Sequence, residues 1–378
     1  MIKKYIAFAL ILLSLLFTLT GCYDSNGIEN FYYIVAIGID KGENDLIRLS
    51  VQNAKSSTSS DSSTSQSSDY KIYTVECESI ESGINILNNY LNKKINLSHC
   101  SAIVFSEEIA KQGVKNYISI LGNDTEIRPS CNLMVSSKCA CDVLEKVTNS
   151  GEGFSSRLYE YILNSVDYTG YTINSTFNSF FSTLNNEQAQ PVAIYAVVEE
   201  DTVQNTGAAV FKDDIMVGTI SPPQTIAHSI IKNELDSCMI SIESPFNKHD
   251  VIDLNLKKTT KPEIDIQLIN HTPYITIDFS IEGSINSSGE NFDYTLVDNI
   301  RKIELAANEY LESLLEEYLY TISKEFNSDI IGFGGMLASH FLTADEYNQV
   351  HWREIFRDSY FEIHANTSIT SSHLFNKE

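Results

Sequence analysis

Cys22 is the residue whose surroundings point most directly to chemistry. It follows Leu19-Thr20-Gly21, a branched residue and then two small ones, which is the layout of a signal cleavage site with a thiol directly after the cut. These residues end an apolar run, Tyr5 to Leu19, that begins behind Lys3 and Lys4 as in a secretory signal. The pattern predicts cleavage of residues 1–21, which leaves Cys22 as the first residue of the mature protein.

The segment before Cys22 resembles the bacterial lipobox, in which the cysteine sulfur receives a diacylglycerol; acylation of the new amino terminus is left open. Two acyl chains, at about 0.8 kcal/mol per buried CH₂, anchor stably where one chain binds only marginally. The alternative is an uncleaved transmembrane helix, but the apolar run is shorter than the ~20 residues that cross a bilayer. We therefore expect an extracytoplasmic protein held at the membrane by lipid.

The remainder of the chain is strongly acidic. It has 26 Lys and Arg against 50 Asp and Glu, a net charge of -24, and loss of Lys3 and Lys4 changes this to -26. Such a surface repels phosphate, which excludes nucleic-acid binding, and we do not expect the folded part to adhere electrostatically to anionic lipid. With 378 residues, 43% of them hydrophobic, the chain can bury the cores of two or three domains.

Six further cysteines form an even number in an exported chain, which formally allows three disulfides. They are Cys77, Cys100, Cys131, Cys139, Cys141 and Cys238. Two of them are too close in sequence for an ordinary mutual bridge, and several lie in apolar stretches where a free thiol packs, so their redox state stays open. No His/Cys array has zinc spacing, so we predict neither a metal nor a cofactor.

The usual signatures of catalysis are missing from the sequence, and we predict no catalytic residue. No Gly-x-Ser-x-Gly elbow occurs, and Gly332-Phe333-Gly334-Gly335 lacks the Lys and Ser/Thr of a phosphate loop. We interpret this glycine segment as a flexible break after a helix. His99 is interpreted as a structural residue rather than a general base, and Trp352 as a core residue or an interface anchor.

Hydrophobic periodicity predicts a multidomain fold of mixed α/β and α+β class, with mixed and antiparallel sheets flanked by helices. Residues 22–200 form an N-terminal α/β region that starts with a hairpin, Phe31 to Asp40 and Asp45 to Ala54. This region forms either one unit or two units that are split near residues 151–153. A flexible Ser/Thr loop interrupts it at 56–68.

A polar stretch at 201–205 is predicted to be a linker, and the pattern of apolar residues changes after it. Residues 206–378 are predicted to form an α+β domain, in which strands of period two precede a long helix at about 296–326 and a terminal strand. The helix carries apolar residues spaced by three or four, so one side of it should pack on the sheet.

Four blocks of the sequence, taken in order behind the lipobox, resemble the Ger(x)C family of spore germination lipoproteins. They are Cys22-Tyr23-Asp24 with Ile34 to Lys41; Leu97 to Ala110; Gly207 to Asp214 with Val217-Gly218; and Asp329 to Gly334 with Trp352 and Phe356. The chain departs from the family at Tyr23, where a tryptophan is usual, and at Ser25-Asn26-Gly27, where charged residues are common. Neither departure touches a known catalytic group.

The resemblance implies a non-enzymatic lipoprotein on the outer face of the spore inner membrane. There it would work with an A-type and a B-type integral membrane subunit in a receptor that senses nutrients and starts germination. Which germinant is sensed, and whether it touches this chain, stays open. The alternatives are a solute-binding lipoprotein, which the strand-rich second half disfavours, and an envelope hydrolase acting on peptidoglycan.

Overall fold

The computed structural model describes most of the chain after the signal segment. The described residues are 2–6, 27–54, 70–149, 169–199, 202–247, 249–258, 260–288 and 296–372. Cys22, the Ser/Thr segment at 56–68 and the predicted split near 151–153 lie outside them. The predicted class is confirmed, because the described residues form two sheets, one mixed and one mainly antiparallel, flanked by helices.

The first sheet has nine strands, with antiparallel hairpins at its edges and parallel strands in its centre. The strands are β1 Phe31–Lys41, β2 Ile47–Ala54, β3 Tyr70–Cys77, β4 Lys94–Asn96, β5 Ala102–Ser106, β6 Asn132–Ser136, β7 Val192–Val198, β8 Val203–Lys212 and β9 Ile215–Ile220. Eight of them run in the order β3-β2-β1-β5-β6-β7-β8-β9, and β4 pairs with the start of β1. Strands β1, β5, β6 and β7 are mutually parallel.

Helices cover both faces of this sheet. They are α1 Ile80–Tyr90, α2 Glu107–Gln112, α3 Lys115–Asn123, α4 Ala140–Asn149 and α5 Phe177–Leu184. Four of them bury apolar side chains against one face, while α4 packs on the other. Strands covered on both faces need near-continuous apolar runs, which explains why β5 and β6 are buried along their whole length.

The segment predicted as a linker is partly strand. Val203–Asn205 open β8, which pairs antiparallel with β7, and the amide of Glu199 donates to the carbonyl oxygen of Thr202 at 3.0 Å. Alternate side chains of β8 enter different cores: Ala209 packs with the first sheet, whereas Val210 packs with the second half of the chain. The polar composition predicted a linker because polar residues are common both in linkers and in the connections between paired strands.

The second sheet is built from five strands. They are β10 Ser237–Glu243, β11 Val251–Lys258, β12 Glu263–Ile269, β13 Thr272–Ser288 and β14 Tyr360–Ser372. The first four pair antiparallel, and β14 runs parallel to β13. Helices α6 Pro222–Lys232 and α7 Val297–Tyr320 pack with one face of the sheet, and a π-helical turn, Thr321–Glu325, follows α7. Three short helices, α8 Phe333–Ala338, α9 Ala344–Asn348 and α10 Trp352–Ile355, lead to β14.

Side chains of α7 satisfy the outer edge of β14. The amides of Ala365, Thr367 and Ile369 donate to Glu312 Oε1, Asn308 Oδ1 and Glu304 Oε1 at 2.9, 2.7 and 2.9 Å. Acceptors four residues apart on the helix are about 6 Å apart along its axis, and amides two residues apart on the strand are about 6.6 Å apart. Because the two spacings are similar, each of these alternate amides meets one acceptor. Between Ala365 and Ile369 the outward amides are therefore satisfied within the chain and are not free to pair with another strand.

Replacing Asn308 with Ala should destabilise the protein by about 1–2 kcal/mol, because the amide of Thr367 loses its acceptor in a half-buried position. Urea unfolding measures the effect. Glu309→Ala is the matched control, since the neighbouring side chain is exposed and should change the free energy of unfolding by less than about 0.5 kcal/mol. Equal effects of the two substitutions would contradict the role of this helix in closing the strand edge.

Candidate functional site at the junction of the two sheets

Asp329 lies fully buried in the segment between α7 and α8, and four donors surround its carboxylate. Its Oδ1 accepts from the amides of Gly332 and Phe333 at 2.8 and 3.1 Å. Its Oδ2 accepts from the amide of Gly334 at 2.8 Å and from Nε1 of Trp352 at 2.9 Å. Burial raises the pKa of Asp329, while these four donors oppose the rise. The arrangement is a backbone nest closed around an internal carboxylate.

The prediction of a flexible break at residues 332–335 is wrong. Gly332 has φ +89°, a conformation that suits glycine, and this turn directs successive amides onto Asp329. A Cβ on Gly334 would lie 2.5 Å from the indole of Trp352, so glycine is also needed for close packing there. The glycine segment therefore donates amides to the carboxylate of Asp329, three residues before Gly332. The spacing of the glycines alone does not predict this contact.

Arg353 ties this segment to the first sheet. Its Nη1 lies 2.5 Å from Oδ1 of Asp213 in the β8–β9 turn, and its Nε and Nη2 donate to the carbonyl oxygens of Glu187 and Asn186, each at 3.3 Å. Because both partners of the ion pair are substantially exposed, the pair alone contributes little stability. The additional carbonyl contacts fix the guanidinium in one orientation.

Further buried hydrogen bonds join the segment around Asp329 to the first sheet. Ser328 Oγ donates to the carbonyl oxygen of Phe211 at 2.6 Å, and the amide of Gln190 donates to the carbonyl oxygen of Asp329 at 2.8 Å. The side chain of Gln190 in turn accepts from the amide of Asp213 at 2.5 Å. The third and fourth blocks of the family resemblance thus meet in space, although more than a hundred residues separate them in the sequence.

An open cleft of about 560 Å³, its mouth included, adjoins Trp352 and Arg353. The buried hydroxyl of Tyr347 lies beside it without a hydrogen-bond partner among the described residues, and burial raises the pKa of Tyr347 to about 12. The carboxylate of Asp329 and the guanidinium of Arg353 are already engaged with protein groups. The described contacts therefore hold two parts of the fold together and show no nucleophile beside a base.

The first and second blocks lie side by side in the first sheet, where β1 pairs parallel with β5. Asp40, buried in β1, accepts from the amides of Ala140 and Cys141 at 2.5 and 3.0 Å and so caps the start of α4. Burial raises the pKa of Asp40, and these two hydrogen bonds oppose the rise. Next to it, Lys41 Nζ pairs with Glu108 Oε1 at 2.9 Å. Both buried carboxylates therefore hold helix or turn amides.

The remaining predicted residues are not gathered into a site. Cys22 lies outside the described residues, so its lipidation stays a prediction. His99 is exposed and contacts Tyr33 edge to face, with 4.8 Å between ring centres. The six other cysteines are free thiols, and Cys100 and Cys131 lie buried with their sulfurs 3.8 Å apart. Within the described stretches, no three His, Cys, Asp or Glu side chains are placed to hold a metal.

None of the described helices combines the length and apolar character needed to cross a bilayer. The two sheets have separate cores that both take side chains from β8, and contacts of Asp329 and Arg353 join them, which defines a multidomain α+β protein. Two models of known protein families match this chain. One family model, described as the spore germination protein N-terminal domain, matches residues 24–198, and another, described as spore germination B3/GerAC like, C-terminal, matches residues 206–373.

Individual relatives agree with these matches. Spore germination protein KC of Bacillus subtilis (strain 168) is 22% identical over 413 aligned residues, which cover 100% of this chain and 98% of that protein. The crystal structure of the GerBC protein has a TM-score of 0.58 at 18% identity, covering 88% of this chain and 96% of that one, and so shares the fold. The chain belongs to the Ger(x)C family of spore germination proteins.

Proposed function

We propose that this protein is a non-enzymatic lipoprotein subunit of a spore germinant receptor. It works with A-type and B-type integral membrane subunits and is required for nutrient-triggered germination. The observation that carries the proposal is the ordered match of both halves of the chain to the two spore germination domains, residues 24–198 and 206–373. A relative aligned over the whole chain supports the same assignment.

The proposed location is the outer face of the spore inner membrane, with the diacylglycerol on Cys22 as the anchor. The signal segment supports this location, because a positive start, an apolar run and a small-residue cleavage site precede the cysteine. The net charge supports lipid anchoring, since an acidic body has no general electrostatic attraction to anionic lipid. In this position the folded halves face the extracytoplasmic parts of the partner subunits.

The proposed role is structural recognition rather than catalysis. Asp40 and Asp329 are the buried carboxylates nearest to the family blocks, and both accept hydrogen bonds from backbone amides on each oxygen. A general base needs a lone pair directed at substrate, and these carboxylates direct theirs into the protein. Their contacts support a rigid body that presents fixed surfaces to its partners.

Replacing Cys22 with Ala tests the proposal. We expect the variant to lack the acyl chains by mass spectrometry, to leave the spore membrane fraction, and to impair germination with nutrients while sporulation stays normal. The physical reason is that the two chains supply the anchor, and a protein released from the surface no longer meets its partners at high local concentration.

Cys139→Ala is the matched control, because this exposed cysteine is also removed without disturbing a core. Its spores should germinate like the wild type. Pull-down of the lipidated protein from spore membranes should recover two integral membrane subunits. Normal nutrient germination by the Cys22→Ala strain, in a background without a second receptor for the same nutrient, would overturn the proposal.

A further inference from the structure

Aromatic and basic side chains meet at the start of β1. The rings of Tyr32 and Tyr73 lie 5.9 Å apart. Lys71 Nζ lies 4.8 Å from the centre of the Tyr73 ring, and Lys93 Nζ lies 5.7 Å from that of Tyr32. We call these four residues the anchor-proximal patch. Its members come from β1, β3 and the turn after α1, so the fold and not the local sequence brings them together.

Each side chain of the patch has an apolar part against the protein and a polar end towards water. Tyr32 and Tyr73 are half-buried against the core of the first sheet, and the hydroxyl of Tyr32 donates to Asn92 Oδ1 at 2.6 Å. Nearby, at the end of α1, Tyr90 is 58% exposed. Amphipathic rings and lysines with apolar stems are the side chains that occupy the interface between lipid headgroups and acyl chains.

The charge around the patch differs from that of the whole protein. The segments that supply it, residues 30–39, 70–75 and 82–106, contain no Asp or Glu, although the chain has 50 acidic residues. Glu126 approaches the last of them, but its oxygens accept from Asn96 Nδ2 and the amide of Leu97. Glu29 is the exposed acid just before β1. The described segments of the patch therefore carry lysines and no carboxylate, while Asp69 directly precedes Tyr70 in the sequence.

The patch also lies close to Cys22 along the chain. Phe31, the first residue of β1, follows Cys22 by nine residues, which span at most about 30 Å when fully extended. Phe31 pairs with Lys94 in β4, which places one more lysine at this end of the sheet. A lipid on Cys22 would thus keep the start of β1 within about 30 Å of the membrane.

We propose that the anchor-proximal patch lies against anionic lipid headgroups and so orients the folded body on the membrane. The inference rests on the proposed lipidation of Cys22. Each lysine near an anionic surface strengthens binding by a factor of about five, which a tethered patch can use even though the whole protein is acidic. The proposal sets this patch apart from the rest of the folded part, which we do not expect to adhere to anionic lipid.

Depth-dependent fluorescence quenching tests the proposal on the full mature lipoprotein in phosphatidylglycerol vesicles. Tyr73→Trp places a fluorescent probe in the patch. Tyr320→Trp places the control probe at an exposed position at the end of α7, and the buried Trp352 contributes the same background to both variants. We expect brominated acyl chains to quench the probe at 73 and not the probe at 320. Adding Lys71→Glu and Lys93→Glu to Tyr73→Trp should reduce the quenching by at least about fivefold.

Lys257→Glu with Lys261→Glu, two exposed lysines of the second half, is the matched charge control and should leave quenching at 73 unchanged. Slower hydrogen exchange of residues 90–96 of the wild-type protein on these vesicles gives a second readout without an aromatic substitution. If the probes at 73 and 320 are quenched equally while the protein still floats with the vesicles, the proposal that the patch lies against lipid is wrong. Failure to float at all overturns the lipidation proposal instead.

Discussion

Asp329→Asn should lower the free energy of unfolding by about 3 kcal/mol or more, because an amide can accept on one atom only. Its nitrogen would face two buried donors, the amide of Gly334 and Nε1 of Trp352, if its oxygen keeps Gly332 and Phe333. Relief of the buried charge offsets part of this loss. The single tryptophan is itself a donor to Asp329, so its fluorescence reports unfolding at this junction directly.

Trp352→Phe removes one of the four donors and should cost about 1.5–3 kcal/mol, less than or similar to the change at the carboxylate; circular dichroism follows its unfolding. Asp345→Asn is the matched control, since this acid is exposed in α9 and should change stability by less than about 1 kcal/mol. If Asp329→Asn and Asp345→Asn unfold at the same urea concentration, the carboxylate does not hold the glycine segment.

Local patterns in the sequence predicted the elements whose signals are local. The hairpin predicted at Phe31 to Asp40 and Asp45 to Ala54 is observed as β1 and β2, one or two residues different at its ends. The long helix predicted at about 296–326 is observed as α7 and the π-helical turn that follows it. Period-two alternation and apolar spacing of three or four are sufficient for such elements.

Contacts between distant residues were not predictable in the same way. Asp40 caps α4 one hundred residues later, and Asp329 receives an indole donor from position 352. An isolated Asp in a strand, or a Gly-x-Gly-Gly run, gives no sign of such a partner. The family resemblance singled out Asp40, Asp329 and Trp352, and the structure supplies a reason: both carboxylates are buried and accept hydrogen bonds from backbone amides, and Trp352 adds a donor to Asp329.

The edge of β14 shows the same limit. Its outward amides meet acceptors of α7, yet Glu304, Asn308 and Glu312 look in the sequence like the solvated side of an amphipathic helix. Likewise the polar residues at 201–205 suggested a linker, but Val203–Asn205 pair with β7 as the start of β8. Contacts between distant parts of the chain therefore determine where these polar residues lie, although the composition alone assigned them to solvent.

Acid should destabilise the protein through His228. This side chain is fully buried in α6, its Nδ1 lies 2.7 Å from the hydroxyl of Tyr318, and burial, helped by Lys232, lowers its pKa to about 3. The unfolded chain binds a proton below the usual histidine pKa, about 6.5, while the folded chain stays neutral. Stability is thus fully present above pH ~6.5 and falls by about 1.4 kcal/mol per pH unit below it, on the order of 5 kcal/mol by pH 3.

Urea unfolding between pH 7.5 and 4.5 measures this slope in the wild type, in His228→Gln and in His340→Gln. Carboxylates titrate in all three proteins, so the difference between the pH slopes isolates each histidine. His228→Gln should be less stable than the wild type at pH 7.5 and should lose stability more slowly as the pH falls, because glutamine has no proton to take up. His340→Gln removes an exposed histidine and is the matched control for the substitution itself. A slope for His228→Gln that matches the wild type would mean that the buried imidazole already carries its proton in the folded protein.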